Sequence, residues 1–453
     1  MAGSYSSYRA SGMPWAQRIP EHWESAHLRY VANISNGTTP SRDRADFWEN
    51  GTIPWLASGQ VNDYIVRQAR EFITPTAQKV ASLRMLPKGS VIVGLYGQGK
   101  TRGTSAYLNI DATINQALAG LMPSEKLEGR FLHYVLIAGR EYLRNEGRGG
   151  SQPNLNCDMV GNFSIPLPPL PEQEKIAHYL RAQDAKIARF IRIKRELIET
   201  LNEQKLAVID HAVTQGLNPD APRKPSGVAW LGEVPGHWEV LHMGSAVAIV
   251  NGYPFDSALF DTEKGHPLVR IRDLTKTNTE IKFNGAEISE AIIETGDLIV
   301  GMDGDFNAAL WRGERALLNQ RMCCLRPKMT ITTEYLACVI PKALKFINDF
   351  TLATTVKHLS SGDLKRLRFP VPPLEEQHAI LAHIKANTEP LTTAIHQAEQ
   401  EISLFREYRE RLIVDAVTGQ IDLRGWQASP EECADDAGLL ELTDGEIADD
   451  DDA

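Results

Sequence analysis

Residues 168–180, PPLPEQEKIAHYL, return as residues 372–384, PPLEEQHAILAHI, 204 positions further along the chain. Both segments open on prolines, pass through Glu-Gln and run on into apolar residues at helical spacing. Pro171 suits the first turn of a helix, where a missing N–H leaves nothing unpaired. A joint of this kind, repeated before a helix, reads as structural rather than as a proline-rich ligand. Its recurrence predicts a chain built twice over.

The repeat extends in both directions. Trp15–Trp23 (WAQRIPEHW) matches Trp230–Trp238 (WLGEVPGHW) at a shift of 215, as does Asn36-Gly37 with Asn251-Gly252. Lys88–Gly94 (KGSVIVG) matches Thr295–Gly301 (TGDLIVG) at 207, and Asn115-Gln116 matches Asn319-Gln320 at 204. Asp210–Thr214 (DHAVT) matches Val414–Thr418 (VDAVT), again at 204. The shift drifts through the first part of each repeat and is constant through the second, the pattern of a variable domain on a fixed-length spacer.

The first parts carry short apolar runs between Gly, Pro and Asn, such as Val91–Val93, Leu298–Val300 and Met322–Leu325, which read as strands and loops. Helices are expected near Glu128–Arg144 and Thr333–Asp349. The second parts carry heptads. One seam is Ile176, Leu180, Gln183, Ile187, Phe190, Lys194, Leu197, Leu201, Gln204 and Val208. The other is Ile380, Ile384, Asn387, Leu391, Ala394, Ala398, Glu401, Phe405, Tyr408 and Leu412. Gln183 and Asn387 interrupt at equivalent places, either fixing register or marking a solvated end. Two such helices of forty residues, each roughly 60 Å long, are expected to pack antiparallel and give the chain a pseudo-two-fold axis.

The expected fold is therefore α+β: two repeated mixed α/β domains separated by two long coiled-coil helices. The boundaries read as 1–168 for the first domain, 169–216 for the first helix, 217–372 for the second domain, 373–420 for the second helix and 421–453 for an acidic, disordered tail. With 453 residues, more than one core is expected.

The net charge of −10 is unevenly placed. Eleven of the 58 Asp and Glu lie between Gln427 and Ala453, a stretch with no Lys or Arg; the remainder carries 48 basic against 47 acidic side chains. Any surface for an anionic partner must be local. No apolar run approaches a membrane span, and the opening MAGSYSSYRASGMPW lacks the order of a signal peptide. A cytoplasmic protein without a membrane partner is expected. Cys157, Cys323, Cys324, Cys338 and Cys433 show no CxxC pair or zinc spacing and read as free thiols.

The order of domain, PLPPLPEQEKIAHYL helix, domain, VPPLEEQHAILAHI helix resembles the specificity subunits of type I restriction–modification systems. Ile19–Trp23, the strand at Gly296–Val300, the Asn-Gln pairs, Val269–Leu274 and Lys357–Ser360 fit the same pattern, and the resemblance covers residues 15 to about 425. It implies target-recognition domains that each read one half of a split double-stranded DNA site. It also implies helices that set the gap and dock two modification (methyltransferase) subunits, which recruit two restriction (translocase-nuclease) subunits. The chain itself would be no enzyme and bind no cofactor or metal; S-adenosylmethionine, ATP and magnesium would belong to the partners. The acidic tail is outside the family pattern.

Base edges are read by Arg, Asn and Gln and phosphates by Lys and Arg. Candidates in the first domain are Gln98, Lys100 and Arg102 in one loop and Arg148, Gln152 and Asn154 in GRGGSQPNLN. In the second they are Arg270 and Arg272 after a strand, Asn307 and Arg312 in the loop equivalent to Gln98–Arg102, and Lys357 and His358. Taken singly, each fits a solvated surface position; the loops as groups carry the expectation. Two other readings stay open. Residues 94–101, GLYGQGKT, satisfy a phosphate-loop pattern, which requires a following helix; a hairpin turn facing DNA is the competing reading. A coiled-coil scaffold without DNA contact is the other.

Overall fold

The computed structural model describes residues 3–97, 101–146, 154–304, 306–328, 330–350 and 358–427. The chain divides into two compact units, Met1–Leu197 with Ala398–Ala453, and Ile198–Gln397. Each unit takes one globular domain, the opening of the helix that follows it and the closing part of the other long helix.

In the first unit, β1 (Ala32–Asn36), β2 (Ile65–Val66), β3 (Val91–Gly94), β4 (Ser105–Leu108) and β5 (Leu118–Pro123) form a sheet of order β1-β5-β3-β4-β2. Neighbours are antiparallel except β2 and β4, which are parallel. Every residue of β3 and β4 is buried. One face is covered by α1 (Gly129–Ala138), and Leu56, Leu86 and Ile114 join Ile92, Ala106 and Leu108 in one core. Burial on both sides is why Val91-Ile92-Val93 is a continuous apolar run rather than an alternating one.

The helix expected over Glu128–Arg144 is divided at Gly139 into α1 and α2 (Arg140–Glu146). The ring of Phe163 presses on the break: a Cβ at Gly139 would lie 2.3 Å from Phe163 Cζ. After the strand Ser164–Leu167, which pairs with Glu24–His27, comes α3 (Leu170–Gln215), 46 residues long.

The second unit repeats this plan. β6 (Val247–Asn251), β7 (Leu298–Gly301), β8 (Ala308–Leu310) and β9 (Met322–Pro327) form an antiparallel sheet of order β6-β9-β7-β8. A parallel pair recurs beside it: Thr113–Ile114 on Ile53–Leu56 in the first unit, Ala316–Leu318 on His266–Val269 in the second. α4 (Thr333–Phe350) covers β7 and β8, and Glu239–His242 pairs with Arg368–Val371 ahead of α5 (Leu374–Val417).

Within the first unit, α3 and α5 run antiparallel, with the Phe190 ring tilted against that of Phe405 at 4.0 Å between ring centres and Lys194 Nζ 2.5 Å from Glu401 Oε2. In the second, Val213 of α3 shares a core with Ile380 and Ile384 of α5.

The seam differs from the expected one by a single residue. Ile176, Leu180, Ile187, Ile380, Ile384 and Leu412 are buried, and Leu201, Leu391 and Phe405 are half-buried. Leu197, however, is 42% exposed, Asn387 is exposed, and Tyr408 is 51% exposed, while Asp184, Ile191, Thr388, Ile402 and Arg409 are buried. A helix of 3.6 residues per turn drifts against a strict 3.5 repeat, so the buried stripe passes from the Gln183 and Tyr408 positions to Asp184 and Arg409. Asn387 folds back on its own helix, its Nδ2 donating to His383 O at 2.8 Å.

Candidate nucleic-acid interface

The repeated Glu-Gln at each helix start is a clasp. Glu172 accepts hydrogen bonds from Trp23 Nε1 (3.1 Å) and Tyr5 Oη (2.9 Å), and His22 Nε2 lies 2.8 Å away. Glu376 accepts from Trp238 Nε1 (3.0 Å), with His237 Nε2 at 2.7 Å. The adjacent glutamines are fully buried. Gln173 takes the N–H of Glu128 and donates to Lys126 O and Pro168 O; Gln377 takes that of Thr332 and donates to Thr330 O and Pro372 O. This accounts for the pairing of the Pro-x-His-Trp and Glu-Gln motifs in each repeat: one anchors the other.

The clasp also receives the end of the other long helix. Gly419, at φ +69°, lies against Pro20 and Trp23, and Gly216, at φ +73°, lies against Trp238 and Glu376. A side chain is both strained and crowded at these positions.

Four backbone hydrogen bonds weld the loops of each domain, and the two sets correspond. In the first domain, Thr38 N donates to Ile114 O (3.1 Å), Asn115 N to Leu56 O (3.0 Å), Leu95 N to Ala117 O (2.8 Å) and Leu155 N to Leu95 O (2.9 Å). In the second, Tyr253 N donates to Leu318 O (2.9 Å), Asn319 N to Val269 O (3.1 Å), Met302 N to Arg321 O (2.9 Å) and Leu359 N to Met302 O (2.8 Å). The Asn-Gly pairs belong to this weld. A Cβ at Gly37 would stand 1.8 Å from Ile114 O, and one at Gly252 would stand 1.9 Å from Asn319 O. The Asn-Gln pairs belong to it as well. Asn115 Oδ1 accepts from Ala117 N at 3.1 Å and Asn319 Oδ1 from Arg321 N at 3.4 Å, a turn for which Asn is suited.

The weld gathers some of the expected readers. Asn154 is exposed beside Leu155, and Arg102 is half-buried in the turn joining β3 to β4. Asn307 and His358 are exposed at the second weld, and Arg272 is exposed three residues beyond Val269. His358 Nδ1 lies 2.6 Å from Asp303 Oδ1, and Arg321 Nη1 lies 3.2 Å from Asp303 Oδ2, so Asp303 is shared by two basic groups. Arg270 is engaged inward: its side chain is 19% exposed, with Nε 3.5 Å from the buried Asp273 and Nη2 3.4 Å from Glu280. Arg312 does not share a loop with Asn307, because Ala308–Leu310 is a strand and carries Arg312 to the far end of the hairpin. Gln98, Lys100, Arg148, Gln152 and Lys357 lie outside the described residues. Gln116 and Gln320, not among the expected readers, are both exposed at the welds, and the repetition of the Asn-Gln pair is the signal in the sequence that marks them.

The phosphate-loop reading fails on local structure. Antiparallel pairing of Val91–Val93 with Ser105–Tyr107 makes the segment a hairpin, with β4 where a nucleotide site needs a helix. Cys157, Cys323, Cys324 and Cys338 are free thiols; burial pushes Cys323 and Cys324 up to about 12 and Cys338 up to about 11. Cys433 lies outside the described residues. Among the described residues no group of three or more His, Cys, Asp or Glu could hold a metal ion. No helix among them is long and apolar enough to cross a membrane.

The family described as type I restriction modification DNA specificity domain matches at residues 20–202 and 235–404. The chain is 37% identical over 186 residues to the type I restriction enzyme EcoBI specificity subunit of Escherichia coli, covering 41% of this chain and 39% of that one. It is 23% identical over 434 residues to the MjaIX specificity subunit of Methanocaldococcus jannaschii, covering 89% and 94%. A solved structure described under complex assembly and conformational transition of the type I R-M system shares the fold, with a TM-score of 0.64 at 16% identity over 89% of this chain and 99% of that one.

Proposed function

This chain belongs to the type I restriction–modification DNA specificity family, and from that premise we propose that each of its domains reads one half of a split double-stranded DNA site through its loop weld. The observation that carries the reading is the pair of matching welds. The same four backbone hydrogen bonds carry different side chains on or next to them: Thr38, Ala117 and Asn154 in one domain, Tyr253, Arg321 and His358 in the other. A constant frame with changed side chains suits two domains that recognise unlike sequences, since base edges are told apart by donors and acceptors held at fixed places.

The chain acts as a specificity subunit beside methyltransferase and restriction subunits, two of each in the full assembly, at work in the cytoplasm. Methyl transfer and cleavage, with S-adenosylmethionine, ATP and magnesium, belong to those partners. The lengths of α3 and α5 set the number of base pairs between the halves. The test is methylome sequencing of cells that express the chain with its methyltransferase subunit. The expected result is a split motif with two unlike halves. A continuous motif would refute the two-reader reading, and the absence of sequence-selective methylation would favour a scaffold without DNA contact.

A further inference from the structure

Gln116 and Gln320 occupy the same place in the two welds, each one residue after the asparagine whose carboxamide closes the turn. That asparagine is committed: its Oδ1 takes the N–H two residues on. The following glutamine is exposed in both domains. In the first domain Thr39 Oγ1 donates to Gln116 Oε1 at 2.5 Å, so the oxygen of this exposed amide is engaged and its Nε2 is the group left to donate.

We propose that Gln116 and Gln320 are phosphate anchors, donating from Nε2 to the DNA backbone and fixing the seat of each domain on the duplex without selecting bases. The proposal rests on the reading of both domains as DNA readers. Its argument is the contrast within the weld. Positions around each glutamine differ between the repeats: Ala117 against Arg321, Thr38 against Tyr253, Asn154 against His358. An identical residue in two domains that read unlike halves cannot supply their difference. It suits what the halves share, the sugar–phosphate backbone, which positions a protein and carries no sequence information. A neutral amide also suits a body with almost no net charge, because it adds a directed donor without a long-range field.

The test uses the full chain with its methyltransferase subunit on a duplex carrying the methylated motif, with binding measured across salt concentrations. Gln116→Ala and Gln320→Ala are each expected to weaken binding about five- to tenfold, the scale of one lost hydrogen bond. The methylated motif and the salt slope should stay as in the wild type. Gln320→Lys is expected to steepen the dependence of log K on log salt by about one, as one further phosphate is neutralised, again with the motif unchanged. An alanine variant that relaxes or alters its own half of the motif would make the glutamine a base reader and overturn the proposal. Binding within twofold of wild type in both alanine variants would overturn it too. If the wild-type complex binds no sequence selectively, the DNA reading itself falls and this proposal with it. A functioning wild type beside a failed glutamine prediction overturns the anchor alone.

Discussion

Arg409 donates from Nε to Asp184 Oδ1 at 2.7 Å, a pair with side chains 10% and 1% exposed, between α5 and α3 inside the first unit. Tyr64 and Tyr134 donate to Asp184 Oδ2 at 2.6 and 2.9 Å, and Arg409 Nη2 donates to Tyr64 Oη at 2.7 Å. Burial, with the carboxylate beside them, holds both phenols above their usual range, so they remain donors. The second repeat has Thr388 and Cys338 where the first has Asp184 and Tyr134, so the ionic key belongs to one unit.

Removing one member leaves a buried charge alone. Asp184→Ala is expected to destabilise the first unit by about 3–5 kcal/mol, and the double variant Asp184→Leu with Arg409→Met by clearly less. Urea denaturation of the two variants decides it; equal losses would show that the pair is worth more than the isolated charge costs.

His133 lies behind this key, its ring 4.7 Å from that of Tyr64 and Ser105 Oγ 3.0 Å from its Nδ1. Burial and the nearby guanidiniums lower its pKa to about 3, against 6.5 for an ordinary histidine. The unfolded chain therefore binds the proton first. The stability from a neutral His133 is present above pH 6.5 and is lost as pH falls below it, by about 1.4 kcal/mol at pH 5.5. Melting of wild type and His133→Gln at pH 7.5 and 5.5 should show a smaller pH loss in the variant; parallel losses would exclude His133 as the cause.

The glutamine clasps predict separable defects. Gln173→Ala removes three hydrogen bonds at a buried site and leaves the Glu128 N–H without its partner, at a cost of about 2–3 kcal/mol. Amide exchange should quicken at Glu128 in this variant and at Thr332 in Gln377→Ala. Faster exchange at both sites from either single change would contradict independent clasps.

Arg270 and Arg272 should part company. Arg270→Ala strips the guanidinium from the buried Asp273 and is expected to cost about 1–3 kcal/mol of stability. Arg272→Ala, at an exposed site, should leave melting unchanged and weaken discrimination in one half-site only. Differential scanning calorimetry paired with methylome sequencing separates the two.

The repeat makes the architecture legible in the sequence itself. The strands at Val91 and Leu298, the helices from Leu170 and Leu374 and the hairpin in place of a phosphate loop follow from pattern and turn chemistry. The stripe on the long helices was legible only to within one residue. Gln183 and Asp184 are both polar, and only the partner helix, through Arg409, decides which faces inward. The break at Gly139 lies against the ring of Phe163, a contact from a residue remote in sequence that could not be foreseen. The weld was hidden for a related reason. Its bonds run through the backbone, and sequence showed only the residues tolerated there, Asn-Gly and Asn-Gln, not the carbonyls that require them.

The division of the long helices between the units has a consequence in time. Trp23 and Glu172 emerge early from the ribosome, but Gly419, which closes on Trp23, and Arg409, which neutralises Asp184, are made more than two hundred residues later. At a synthesis rate of about 5–20 residues per second, the first domain stays unfinished for roughly 10–50 s. Asp422 N then donates to Gly3 O at 2.7 Å, so the first unit's opening segment is also fastened by residues that follow the second long helix. A circularly permuted gene that opens elsewhere would change which domain has to wait.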